Sequence, residues 1–129
     1  MQIFAEGGFP MWIILACVLV SHPLAIAAVI VAFVNEQRAV VLALSGAVLL
    51  FAQTTACVGV AGYLWGLSQV EAALAGAAGL EPAMLEALRE QGQQEASWNW
   101  ICGGIGTVLP LILALVGLAR GVTMKTSRR

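Results

Sequence analysis

Charge is what this sequence has least of. Only 10% of its 129 residues are Asp, Glu, Lys or Arg, where a soluble domain carries about 25%. A water-soluble fold of this length needs far more polar surface to cover its core. The few charges are also unevenly placed, and residues 7–35, 39–70 and 96–119 contain none. Each gap exceeds the roughly 20 apolar residues with which an α-helix crosses a bilayer. Strict alternation is absent from these runs, which argues against β-barrel strands. A positive n-region is absent too, since Glu6 precedes the first apolar run, so that run is expected to be a retained helix rather than a secretory signal. Cysteine is scarce and odd in number. Cys17, Cys57 and Cys102 show no CxxC spacing, give no disulfide framework and read as small apolar packing residues. The net charge of −1 offers nothing to nucleic acid. No acid, Lys or Arg falls inside a span. A small ion-coupled drug transporter would need a membrane acid, and an intramembrane protease would need a Ser-His or paired-Asp constellation. Ser21 and His22 are neighbours in sequence, but adjacent helical residues point in different directions. His22 has no second ligand at a clear spacing, so no metal or cofactor is expected, and the chain is read as not an enzyme.

What is present is an all-α pattern: an integral membrane bundle of three transmembrane helices. The spans are expected at about 9–34, 39–67 and 98–119, with an outer loop over 68–97 and a cytoplasmic tail over 120–129. Asn35 to Arg38 is a tight polar connection, so the first two helices form an antiparallel hairpin. Trp12, Tyr63, Trp65, Trp98 and Trp100 suit a membrane interface. Within the loop, Ser68-x-x-Glu71 reads as a capping box that starts a helix at Gln69, with Gly79 as a stop. Pro82 then opens a short amphipathic helix with Met84, Leu85 and Leu88 on one face, ending near Gly92. Four of the six basic residues follow the third span, while the loop holds five Glu and only Arg89. The positive-inside rule places the tail in the cytoplasm and the N-terminus outside, as in a bacterial inner membrane.

Two further patterns bear on function. His22, Gln53 and Thr107 lie near the middle of the three spans and could form one polar layer. One reading is a proton or ion path, since histidine is the side chain that changes charge near neutral pH. The other is an interhelical hydrogen-bond cluster, or kinks at Pro23 and Pro110 patched by neighbouring side chains. Gly62-x-x-x-Gly66 and Gly117-x-x-x-Gly121 fit close helix approach. They suggest dense packing within the bundle and between subunits, hence a homo-oligomer.

The opening Phe4-Ala-Glu-Gly-Gly-Phe-Pro-Met-Trp12 resembles the start of the MotA/TolQ/ExbB proton-channel family. Glu86-Ala-Leu88 is similar to the family's Glu-Ala-Leu before its last helix. Gly62-Tyr-Leu-Trp-Gly-Leu67 has the glycine spacing of its Gly-Thr-Val-x-Gly-Met, with Tyr63 in place of the pore threonine. Gly106-Thr-Val-Leu-Pro-Leu111 matches those letters better but lies on another helix, and both placements stay open. The family's large cytoplasmic domain is replaced by Asn35 to Arg38. The resemblance implies a scaffold or ion conduit around a single-span partner helix, with the titrating acid on the partner. The alternative is a non-conducting accessory subunit of a larger membrane complex.

Overall fold

The computed structural model of the protein describes residues 8–34, 37–77 and 79–124. Three helices account for nearly all of them: α1 (Gly8–Val34), α2 (Arg38–Gly76) and α3 (Pro82–Thr123). At 1.5 Å per residue they are about 40, 58 and 63 Å long, and all three are long and apolar enough to cross a membrane. Local chemistry sets the ends. Gly8 takes a positive φ of 63° at the start of α1, a conformation that glycine adopts without penalty. Pro82 occupies the first turn of α3, where its missing N–H is not needed. The Glu81 carbonyl accepts from the Met84 and Leu85 N–H groups.

The seam of the bundle is built from small residues. On α2 the buried positions are Val41, Ser45, Val48, Ala52, Thr55, Gly59 and Gly62. Their spacing alternates between four and three, a 3.5-residue repeat that matches left-handed helix packing. The lower part of α1 keeps the same rhythm with Ser21, Ala25, Ala28 and Ala32. So does the end of α3, with Pro110, Ala114, Gly117 and Gly121. Large side chains point the other way: Leu19, Phe33, Leu50 and Ile105 are all well over half exposed. In water this would be inside out. In lipid it is the expected arrangement, because helices there associate by close packing of small residues while large apolar ones meet the acyl chains. The protein is an integral membrane three-helix bundle.

Contacts across the seam fix the topology. Pro10 of α1 lies against Gly62 of α2, and Asn99 of α3 meets the same glycine. At the other end Gly121 packs on Val41 and Leu42, and the Arg120 guanidinium stands 5.9 Å from the Phe33 ring centroid. So α1 and α3 run in parallel and α2 runs against both. Trp12, Trp65 and Trp100, each exposed, gather at the end where α1 begins. They form an aromatic belt there, and from Trp100 to Arg120 is about 30 Å of helix, one hydrocarbon thickness.

Above that belt the structure departs from the sequence expectation. The stretch 68–97 expected as an outer loop is mostly helical, and among the described residues no separate short amphipathic helix lies in it. α2 continues to Gly76, and α3 runs without a break from Pro82 into its span. Ser68 does not cap a new helix: its hydroxyl donates to the Trp65 carbonyl within α2, at 2.7 Å, the local back-bond open to a mid-helix serine. The α2 helix ends at Gly76, short of the stop expected at Gly79, and its cap residue Ala77 has an ordinary negative φ. Gly92 does not end a helix either. It lets α3 close on α2, since a Cβ there would come within 2.5 Å of Val70 Cγ2. Arg89 pairs with Glu71 at 3.4 Å across this hairpin, an exposed bridge that adds well under about 1 kcal/mol.

Candidate functional site: polar groups along the bundle

The polar residues expected to form one layer at mid-membrane do not come together. His22 is half-buried on α1, and its Nδ1–H donates to the Val18 carbonyl one turn back, at 2.9 Å. A carbonyl can only accept, so this contact fixes the proton on Nδ1 in the neutral ring. Thr107 is half-buried on α3, and its hydroxyl lies 2.6 Å from the Gly103 carbonyl and 3.2 Å from the Ala52 carbonyl of α2. One hydroxyl proton serves both, so the interhelical contact is the weaker arm of a shared bond. Gln53 is exposed on the outer face of α2, turned away from both. The three side chains therefore share no hydrogen bond. Their neighbours also bond to their own helices: Thr54 to the Leu50 carbonyl and Thr55 to the Phe51 carbonyl, both at 2.8 Å. The bonds from Ser21, His22 and Thr107 reach the carbonyls of Val18 and Gly103. The carbonyls that Pro23 and Pro110 deprive of a donor are those of Leu19 and Gly106.

The four packing glycines all lie inside the chain. A Cβ on Gly62 would meet Pro10 Cβ at 2.8 Å and Asn99 Cγ at 3.1 Å, and one on Gly66 would meet Ala96 Cβ at 2.8 Å. Gly117 lies under the Ser45 hydroxyl, and Gly121 under Leu42. These glycines hold α2 to α3, and Gly62 also admits α1, so none of them is left to face a second subunit.

A residue not singled out from the sequence is a buried polar group without a partner. Asn99, between Trp98 and Trp100, is only 3% exposed, and its Oδ1 is buried without a hydrogen-bond partner. The Ser45 hydroxyl shares that condition. Asn99 lines a cleft of about 230 Å³ at the level of the aromatic belt, together with Trp65, Gln69 and Glu95. Glu95 accepts from Gln91 at 2.9 Å. The signal in the sequence was register: Asn99 lies three residues after Ala96 and four before Gly103, both buried. Among the described residues no cluster of three His, Cys, Asp or Glu side chains could hold a metal ion. Cys17 and Cys102 are half-buried and Cys57 is exposed, all as free thiols.

No family model, no curated protein and no solved structure matches the chain. The functional reading therefore rests on the geometry.

Proposed function

We propose that this chain is a non-conducting structural subunit of a membrane complex, anchored by its bundle and offering the α2–α3 hairpin to a partner protein. The observation that carries this reading is the hairpin itself. Beyond the aromatic belt α2 runs about 15 Å from Gly66 to Gly76, and the facing part of α3, from Ala96 back to Pro82, about 21 Å, further than anchoring alone requires. Its surface combines exposed Leu80, Met84 and Leu88 with Glu71, Glu81, Glu86 and Glu90 against a single Arg89. That mixture suits a partner with apolar anchors and a basic rim. The resemblance to the MotA/TolQ/ExbB family supports the scaffold half of its implied role. The closed seam favours a scaffold over a conduit, because α2 and α3 touch backbone to backbone at Gly59 and Gly103 and His22 and Thr107 bond to carbonyls rather than to each other. We place the protein in a bacterial inner membrane, with the hairpin outside and the basic tail in the cytoplasm, on the asymmetry of its Lys and Arg.

The test is the mass of the gently solubilised native complex, read beside flux in liposomes. The expected particle contains a second polypeptide in addition to copies of the 13.4 kDa chain, and the purified chain passes protons no faster than empty vesicles. A particle of this chain alone, or a proton leak that rises with the amount of protein, overturns the reading. Orientation is checked separately with an impermeant thiol reagent on intact cells. Gln91→Cys is expected to label and Thr123→Cys to stay protected; labelling of both or only of the second reverses the assignment.

A further inference from the structure

The α2 helix has a second face that the bundle leaves uncovered, and it carries the one mid-span amide. Gln53 lies about 18 Å below Trp65 along the helix, near the middle of the hydrocarbon. Its side chain is exposed and has no hydrogen-bond partner among the described residues. Leu50 is 72% exposed one turn earlier, Cys57 is exposed one turn later, and Leu64 is 59% exposed two turns beyond that. A Cβ on Gly46, on the same side, would find nothing within 4 Å. Gly46, Leu50, Gln53, Cys57 and Leu64 thus repeat the three-four rhythm of the inner seam, on the opposite side of the helix. An amide left facing acyl chains loses the hydrogen bonds that water would give it.

We infer that this face of α2 packs against the same face of a second copy of the chain, with Gln53 bonded to its counterpart across a two-fold axis normal to the membrane. Two arguments select a second copy. Copies inserted in the same orientation place identical residues at identical depth, so a residue on the axis meets its own kind. An amide satisfies its own kind: each Gln53 can donate one N–H to the other's carbonyl and accept one in return. Few other side chains are complementary to themselves in hydrocarbon. This interface lies on a surface that the hairpin does not use, so it goes beyond the scaffold reading and stands or falls without it.

The experiment uses the full chain in phosphatidylcholine vesicles, with donor and acceptor dyes on separate populations and a bifunctional maleimide acting on the native thiols. Wild-type protein is expected to show energy transfer that falls on dilution with lipid, and a crosslinked dimer that disappears in Cys57→Ser. Gln53→Leu is expected to weaken the dimer about fivefold to thirtyfold. Its thermal unfolding should match the wild type, because Gln53 bonds to nothing among the described residues, and Gln53→Asn should retain part of the association. Wild type without energy transfer at the highest protein density overturns the proposal. So does Gln53→Leu with unchanged dimerisation, or a crosslink that survives in Cys57→Ser and so runs through Cys17 or Cys102.

Discussion

Gly103→Leu is expected to abolish the folded bundle, while Gly104→Leu leaves it intact. The two glycines are adjacent, so hydropathy and helix propensity change alike, and only direction differs. A Cβ on Gly103 would lie 2.8 Å from Gly59 Cα and 3.1 Å from the Thr55 carbonyl oxygen. Both are backbone atoms and cannot rotate aside. The reverse holds as well, since a Cβ on Gly59 would lie 2.9 Å from the Asn99 carbonyl oxygen and 3.0 Å from Gly103 Cα. One added carbon already forces α2 and α3 apart, and overpacking of this kind costs about 1–3 kcal/mol. Leucine adds three more carbons at the point of closest approach. Close packing is the main attraction between helices in lipid, so a separation there also weakens the Gly62 and Gly117 contacts above and below it. Gly104, by contrast, has nothing within 4 Å of a Cβ and faces the acyl chains, where leucine is at home and gains up to about 1 kcal/mol of helix propensity. Unfolding both variants in mixed micelles of increasing SDS fraction, followed by circular dichroism, separates them. Equal midpoints for the two would mean that the seam does not pass through Gly103.

The sequence shows where lipid begins and ends more clearly than where helices do. The charge-free runs marked three spans, and three helices carry them, with α1 at Gly8–Val34 close to the expected 9–34. The other two helices overrun their spans at the end where α1 begins, α2 by nine residues to Gly76 and α3 by sixteen from Pro82. Hydropathy falls at Ser68 because the helix leaves the bilayer, and a fall in hydropathy looks the same whether the chain then loops or stays helical. The capping pattern at Ser68 reads as the start of a new helix and the glycine at 92 as the end of one. In the structure one is a back-bonded serine and the other a point of close approach.

Direction around a helix was harder to read than depth along it. Small residues were visible as pairs four apart, and that spacing alone does not say whether the partner helix belongs to the same chain. The repeat of alternating threes and fours does say more. Val41, Ser45, Val48, Ala52, Thr55, Gly59 and Gly62 define one continuous line on α2, and Gln53 then falls well away from it. A position near mid-span could not bring its side chain inwards. The same register places Asn99 on the seam, between Ala96 and Gly103.

Gln93→Pro separates a continuous α3 from a loop more sharply than any other single change. Gln93 is exposed on the helix, above the aromatic belt, and makes no side-chain bond among those described. In a loop, or beyond the end of a short helix at Gly92, proline there would be tolerated. Within an uninterrupted helix it removes the N–H that bonds to the Arg89 carbonyl, and its ring collides with that carbonyl, at a cost of about 3 kcal/mol or more. The kink falls one residue from Gly92, where α3 closes on Val70, and four from Arg89, which pairs with Glu71. The hairpin is therefore expected to open while the spans, which begin near Trp98, stay folded. Trypsin reads the difference at Arg89, because cleavage of a helical site needs local opening. If cleavage follows the open population, about 3 kcal/mol becomes a rate increase on the order of a hundredfold. Gln93→Ala should cleave as slowly as the wild type. Equal cleavage of the proline variant and the wild type would mean that the chain between Pro82 and Trp98 is not one helix, and the hairpin would lose its claim to be the surface that a partner meets.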